Sequence, residues 1–242
     1  MRLISLNIWG GHVYTPLHQF ISTHQTVDIF CFQEVYHNAK EMITLENRKV
    51  SLNIFAEIQA LLPNHHGYFR PVVNNIYGIS TFISKKIKVL AEGDYVIHDN
   101  PNYIGRGPTH SRILQWVKCE INGNPYTIMN VHGLWNGRGK TDTEERIAQS
   151  AKIKNFMQPI TTRKILCGDF NLNPHTESLK MLASDMHNLI EMYRVTSTRT
   201  SFYPKEEKFA DYIFTSKEIS INKFEVLKDE VSDHAPLLLE FI

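Results

Sequence analysis

The 242-residue sequence contains no apolar run that approaches the length of a membrane-spanning helix, which needs about 20 consecutive apolar residues. Its N-terminal MRLISLNIWGG also lacks the long apolar stretch of a secretory leader. Those absences argue against an integral helical membrane protein and make the cytoplasm the expected location. Cysteine is scarce. Cys31, Cys119 and Cys167 each lie in an apolar, strand-like run, so buried reduced thiols are expected rather than a disulfide framework. No cluster of Cys and His has the spacing of a zinc site. Neither sign of charge dominates, with 26 Lys+Arg against 25 Asp+Glu. That balance weighs against coating of duplex nucleic acid, which is driven by phosphate neutralisation, but it permits a local basic cleft. Repeats, low-complexity tracts and linkers are missing too. One domain over residues 1–242 is therefore expected, as a monomer, since nothing in the chain names a protein partner.

What is present is a core-forming sequence, 42% hydrophobic and 21% charged, ordinary for a globular protein. Leu3–Trp9 and Val27–Val35 read as strands, the second almost wholly apolar, as suits a strand covered on both faces. Helices are expected at Pro16–Thr23 and over residues 38–62, where Pro63–Asn64 ends the pattern. Five strand candidates follow, Tyr68–Val73, Tyr77–Ser84, Val89–Ile97, Ile113–Glu120 and Tyr126–Val131, most of them separated by turn signals. Two long loops, Asp99–Ser111 and Gly133–Lys140, interrupt the series. Thr141-Asp-Thr-Glu144 fits a capping box opening a helix to about Met157. Later strands are expected at Lys164–Phe170, Phe209–Thr215, Ile221–Leu227 and Pro236–Phe241, with a helix at Thr176–Asp185. Many strands, few helices and a β-run in each half predict an α/β fold of two packed sheets with helices outside.

Six polar fragments stand out against this apolar background: Asn7 in SLNIW, Gln33–Glu34 in FCFQEV, His132 in MNVHGL, Asp169 and Asn171 in LCGDFNLNP, Asp211 in FADYIF, and Ser232–Asp233–His234 in VSDHAP. Five follow or sit within a strand-like run and the sixth immediately precedes one. Strand cores are expensive places for carboxylates and amides unless these are paired or bound to metal. A lone strand-end Glu more often faces solvent, an Asp before Pro174 can simply close an Asx turn, and a lone His beside a strand is usually structural. Together the fragments supply something more specific.

Glu34 is an oxygen ligand suited to Mg²⁺ or Mn²⁺. Asp169 at a strand mouth can orient and deprotonate a water, and Asn171 falls on the same side if the strand continues. His234, held by Asp211, can stabilise charge developing on a phosphate, and Asp233 is placed as a second metal-side ligand. His132 can donate to phosphate or assist a leaving group, and Asn7 can bind the metal's water shell or fix Glu34. Arg106, Arg112, Arg138 and Lys140 flank the two loops as candidate phosphate contacts, with Trp9, Tyr103 and Trp135 for stacking. An equally open alternative is that these are solvated loop charges and partly packed aromatics.

With these residues in this order, the chain resembles the endonuclease/exonuclease/phosphatase superfamily. That metal-dependent group includes pancreatic deoxyribonuclease, exonuclease III, deadenylases, neutral sphingomyelinases and inositol polyphosphate 5-phosphatases. The likeness runs from SLNIW to SDHAPLLLEF, and QE, GDFN and SDH carry it. It implies a four-layer α/β/β/α sandwich, two mainly antiparallel sheets face to face with helices on both outer sides. It further implies Glu34 as principal metal ligand with Asn7 and Asp233 at the metal site. Asp169 would be the water-activating residue with Asn171 its partner, Asp211 the residue orienting His234, and His132 the His of an N-x-H segment. NVHGLW stands where exonuclease III and the abasic-site nucleases carry a Tyr-containing segment. That departure points toward the deadenylase, phosphodiesterase and sphingomyelinase side. The expectation is a Mg²⁺-dependent phosphoester hydrolase acting first on nucleic acid, perhaps single-stranded. A small phosphoester or phospholipid headgroup is the alternative substrate, and a non-catalytic binding module the alternative class.

Overall fold

The computed structural model describes residues 1–39, 51–105 and 107–242. In chain order its elements are β1 (Arg2–Asn7), α1 (Tyr14–Thr23), β2 (Ile29–Tyr36), α2 (Ile54–Leu61), β3 (His65–Val73), β4 (Tyr77–Ser84), β5 (Lys88–His98), β6 (Arg112–Ile121), β7 (Asn124–His132), α3 (Glu144–Met157), β8 (Arg163–Asp169), α4 (Glu177–Ala183), β9 (Met186–Asn188), α5 (Leu189–Met192), β10 (Asp211–Ser216), β11 (Ile221–Val226) and β12 (Leu237–Phe241). A single 3₁₀ turn, Trp9–Gly11, follows β1. Two six-stranded sheets result, in the orders β11-β12-β1-β2-β4-β3 and β5-β6-β7-β8-β10-β9. Each is mixed, with one parallel pair, β1–β2 in the first and β7–β8 in the second. The sheets pack face to face, β1 over β8, β2 over β7 and β4 over β6. Among the described residues no helix is long and apolar enough to cross a membrane.

Strand alternation explains the layers. Leu3, Ile29, Cys31 and Ile83 point inward to a core shared with Leu114, Ile128, Ile165 and Cys167 of the second sheet. Ile4, Leu6, Phe30 and Phe32 point outward, where Leu17, Phe20 and Ile21 of α1 and Ile54 and Ile58 of α2 cover them. On the other side α3 and α4 pack together, with Ile153, Leu179 and Leu182 joined to the first core. All three cysteines are free and buried.

A polar seam crosses the otherwise apolar middle. Gln33 Nε2 donates to Asn130 Oδ1 at 2.7 Å, and Asn130 Nδ2 donates on to Ser80 O at 3.0 Å. Thr81 Oγ1 donates to Gln115 Oε1 at 2.9 Å. Buried amides paired across the interface fix the sheets' mutual register as apolar contact alone would not.

Several local expectations need correction. Of the helix expected over 38–62 the structure has α2, and residues 40–50 lie outside those described. The capping box is not at Thr141. Thr143 caps α3, its side chain accepting the Arg146 N–H. Asp142 is engaged elsewhere, accepting the N–H groups of Glu177 and Ser178 at 2.7 and 3.1 Å and so capping α4. The first strand stops at Asn7 rather than Trp9, and β8 stops at Asp169 rather than Phe170. Strand β9 and helix α5, only 3 and 4 residues long, had no sequence signal.

Candidate active site

The polar fragments meet along one rim of the sandwich. In the second sheet the register sets His132 beside Asp169 and Asp169 beside Asp211, with Arg112 opening the next strand outward. Across from them the first sheet brings Asn7 at the end of β1, Glu34 in β2 and Tyr77 at the start of β4. Asp233 and His234 stand on the segment leading into β12, tied by a bridge between His234 and Arg199. Simple alternation would turn Glu34 outward with Phe30 and Phe32. A bulge in β2, between Phe32 and Val35, inserts an extra residue opposite β4, and Glu34 itself is left-handed with φ 59°. Such bulges re-aim side chains, and here the carboxylate swings back into the rim. Trp9 and Asn171 are left-handed as well, φ 49° and 54°, so backbone strain gathers at this rim. Gly168 before Asp169 is required for close approach, because its Cβ would lie 1.9 Å from Val131 O.

Asn7 ties the carboxylates together. Its Nδ2 donates to Glu34 Oε1 at 3.0 Å and to Asp169 Oδ2 at 2.9 Å, while its Oδ1 accepts the Trp9 N–H at 3.0 Å. Asp169 Oδ1 accepts the Asn171 N–H at 2.8 Å, closing an Asx turn that ends the strand. Asn171 is therefore not carried by a continued strand. Its amide donates to Gly133 O at 3.3 Å and it lines the cleft from the turn. His132 Nε2 is 3.8 Å from both Glu34 Oε1 and Asp169 Oδ2. His234 Nδ1 is 2.9 Å from both Asp211 oxygens, Asp211 Oδ2 accepts Thr198 Oγ1 at 3.0 Å, and His234 Nε2 faces Asp169 Oδ2 at 3.7 Å.

Electrostatics separates the two histidines. Burial, with the Arg112 charge added, holds His132 well below its ordinary pKa, so it is neutral. Burial alone would lower His234 too, but the Asp211 carboxylate, with Asp233 and Asp169, outweighs it and the net shift is upward. Asp169 is buried, which raises a carboxyl, yet the charges of His234, Lys140 and Arg199 together hold it well below the usual range. Glu34 goes the other way. Burial raises it and the Asp233 and Asp169 charges add to that, against the Asn7 hydrogen bond and His234.

Acidic oxygens crowded this closely are the environment that a divalent cation relieves. Glu34, His132 and Asp169 each offer an atom within 4.8 Å of the others, as do Asp169, Asp211 and His234. Carboxylate oxygens beside an imidazole are a donor set that can hold a divalent metal ion. Asp233 belongs to neither grouping. Asn7 points its NH₂ at the carboxylates. Asp233 Oδ2 is ion-paired with Arg199 Nη1 at 3.2 Å.

A cleft of about 990 Å³ opens over the centre. Trp9, Tyr103, Trp135, Arg112 and Lys140 all line it. Arg138 does not, being exposed in a turn where its N–H donates to Asn136 Oδ1. Arg106 lies outside the described residues. Lys140 is 2% exposed and donates Nζ to Phe209 O at 3.0 Å. Also lining the cleft, and not picked out by motif, are Tyr36, Tyr77, His110, Arg199, Tyr203 and Lys205. The Arg199 guanidinium stacks 3.9 Å from the Tyr203 ring centre, and Lys205 Nζ lies 5.2 Å from that of Trp135. His110 stood inside a loop already marked as long. Arg199 and Tyr203 stood in a polar stretch without periodicity.

Paired sheets with a carboxylate–histidine rim define the class. The model of the endonuclease/exonuclease/phosphatase family matches residues 4–234, and the chain belongs to that family, whose members are phosphoric ester hydrolases. No curated protein sequence matches it. Similar solved structures include an endonuclease/exonuclease/phosphatase from Bacteroides vulgatus, 18% identical with TM-score 0.75 over 100% of this chain and 98% of that one. The mannosyl-6-phosphatase of Bacteroides thetaiotaomicron is 19% identical, TM-score 0.73, over 100% and 99%. The human Nocturnin catalytic domain with a bound sulfate anion is 20% identical, TM-score 0.68, over 100% and 94%.

Proposed function

We propose that this chain, acting as one unit over residues 1–242, is a Mg²⁺-dependent phosphodiesterase of single-stranded nucleic acid, with Mn²⁺ as a substitute ion. The observation that carries the proposal is the buried rim itself, where Glu34, Asn7, Asp169 and His132 converge beside the His234–Asp211 pair. Glu34 is the principal ion ligand, with Asp169 and His132 close enough to share it. Asn7 holds the two carboxylates in register, and Asp233 stands on the same side under restraint from Arg199. Bound there, a divalent cation supplies neutralisation of the phosphoryl and leaving oxygens.

The chain's own residues do the rest. Asp169, fully ionised, accepts a hydrogen bond from the attacking water and takes its proton as the P–O bond forms in line with the leaving oxygen. Asn171 steadies that water or a non-bridging oxygen. Asp211 keeps Nδ1 of His234 protonated, so the raised pKa leaves an Nε2–H to donate to the phosphate. Neutral His132 stands on the opposite side, at the leaving group. Trp9, Tyr103, Trp135 and Tyr203 offer ring faces for bases. A small phosphomonoester is the second reading. It is supported by the fold shared with a mannosyl-6-phosphatase.

The test is product release with Mg²⁺ by wild type beside His234→Ala. The panel holds single-stranded RNA and DNA, abasic duplex, sugar phosphates, sphingomyelin and an inositol phosphate. Cleavage of single strands, lost in the variant and in EDTA, is expected. Turnover of only a sugar phosphate would replace the substrate, and metal binding with no turnover would replace the enzyme by a binding module.

A further inference from the structure

A second cavity lies apart from the cleft. β11 is the outer strand of the first sheet, and α5 follows β9, the outer strand of the second. The end of β11 and the segment after α5 enclose about 580 Å³, within the range of small-molecule sites. One wall is apolar. Tyr193 meets Phe224 edge-on, 5.4 Å between ring centres, and Val195 and Val226 also line the space. Tyr193 stays 41% exposed on this wall.

The charges around the cavity are unevenly engaged. Glu225 is ion-paired with Lys223 at 2.6 Å, and Glu230 accepts the Ser201 N–H at 3.2 Å. Arg194 and Lys228 line the cavity as well, and among the described residues neither is in an ion pair. Arg194 also occupies a costly place. It is left-handed, φ 52°. Its N–H donates to Glu191 O at 3.1 Å and that of Val195 to Ile190 O at 2.9 Å, the two bonds that close a helix in a Schellman motif. Glycine is the usual residue there, because a side chain is strained in that conformation. An arginine kept where glycine would be easier, on the lining of a cavity, argues for a role of its guanidinium.

The cavity also abuts the brace of the catalytic segment. Thr200 Oγ1 donates to Ser232 O at 2.5 Å, and the Ala235 N–H to Thr198 O at 2.9 Å. Thr200 and Ala235 line this cavity, and Arg199 lines both it and the cleft. An occupant would therefore touch the segment that holds Asp233 and His234 in place.

We propose that this cavity is a ligand site, separate from the catalytic cleft, for a small organic anion. Its apolar or aromatic body sits against Tyr193, Phe224 and Val226, and its negative group is held by Arg194 and Lys228. The proposal goes beyond the hydrolase reading and does not depend on it.

The test uses naphthalenesulfonate, an aromatic anion with no phosphoester bond to hydrolyse, beside neutral naphthalenemethanol and methanesulfonate, which lacks the aromatic body. Calorimetric titration of wild type is expected to show binding of naphthalenesulfonate and weaker binding of both comparison compounds. Arg194→Gly should weaken the naphthalenesulfonate about tenfold or more, the size of one lost charge-assisted contact. Its melting temperature should be no lower than that of wild type, since glycine suits the position. Hydrogen-exchange mass spectrometry locates the occupant, and protection is expected over residues 193–201 and 224–228. Equal affinity in wild type and Arg194→Gly overturns the site, as does an absence of binding to wild type. Protection confined to the cleft loops, residues 99–111 and 133–140, overturns it too. If Arg194→Gly does not fold, the exposed Lys228→Ser takes its place, and unchanged affinity there has the same force.

Discussion

Lys140 should be a residue the protein would be more stable without. Burial pulls its ammonium from an ordinary pKa of 10.5 down to about 8, with Arg199 adding repulsion and Asp169, Asp211 and Glu207 only partly offsetting it. At about 1.4 kcal/mol per pH unit, that gap corresponds to about 3 kcal/mol of destabilisation carried by the folded state at neutral pH. Lys140→Met keeps most of the stem's packing and removes the charge. It also loses the hydrogen bond to Phe209 O, worth about 1 kcal/mol, so a net gain of about 2 kcal/mol is expected at pH 7. For a chain of this size that corresponds to a Tm increase of roughly 4–8 °C. The sign with pH is diagnostic. Between about 8 and 10.5 the unfolded lysine still holds a proton that the folded one has released, so wild-type stability rises relative to the variant and the gap closes. Thermal melts of both proteins in EDTA at pH 7 and near pH 10.5 measure this directly. A variant less stable than wild type at pH 7, or a gap that does not narrow on the alkaline side, would refute the reasoning. Retention of so unfavourable a cation fits a site kept for anion binding.

Three further variants each perturb a single contact. Asp211→Asn removes the carboxylate that lifts His234 above its ordinary 6.5; the alkaline limb of the kcat/KM profile should move to lower pH, and an unmoved limb counts against His234 as donor. The same pair stabilises the fold below 6.5 and is lost as pH rises through the raised folded value, so the variant's deficit in urea denaturation should be larger at pH 5.5 than at pH 9. Gly168→Ala forces a Cβ into Val131 O at φ 137° and should lose more than about 3 kcal/mol in urea denaturation; near wild-type stability would show that β7 and β8 can separate there. Arg199→Met strands the largely buried Asp233 and should cost about 3 kcal/mol, with the double variant Arg199→Met/Asp233→Asn recovering part of it, and additive losses would deny the coupling.

The strands were legible because burial on both faces leaves long apolar runs, and the site was legible because polar residues at their ends break those runs. What the sequence could not show depends on partners distant along the chain. Glu34 was identified by its chemistry, but its aim follows from a bulge defined by the register of β2 against β4, and a register is not a property of one strand. Asn171 was expected on a continuing strand and instead lines the cleft from an Asx turn, because Asp169 uses a side-chain oxygen to end the strand. Thr141 read as a cap only while Asp142 was taken as part of its own helix, whereas Asp142 caps α4 more than 30 residues away. Arg138 and Arg112 looked alike as loop-flanking arginines. One is in a solvated turn, and the other opens a strand beneath a folded loop.

Each carboxylate and histidine of the centre is on a strand, at its end or in the turn next to it, and the two sheets contribute alternate members: Asn7 and Glu34 from one, His132, Asp169 and Asp211 from the other. No half of the molecule contains a working set. The distances across the cleft are therefore set by how the sheets pack, and Gln33–Asn130 and Thr81–Gln115 lock that packing just below the rim. Asn7 then holds Glu34 and Asp169 together, while burial, with the Asp233 and Asp169 charges added, keeps the Glu34 carboxyl raised. A site of this kind is preorganised by the whole fold and cannot drift with a loop. Tyr103, His110, Trp135, Tyr203 and Lys205, which also line the cleft, are instead on connecting segments, where exchange of side chains changes the cleft's lining without moving the carboxylates and histidines of the rim.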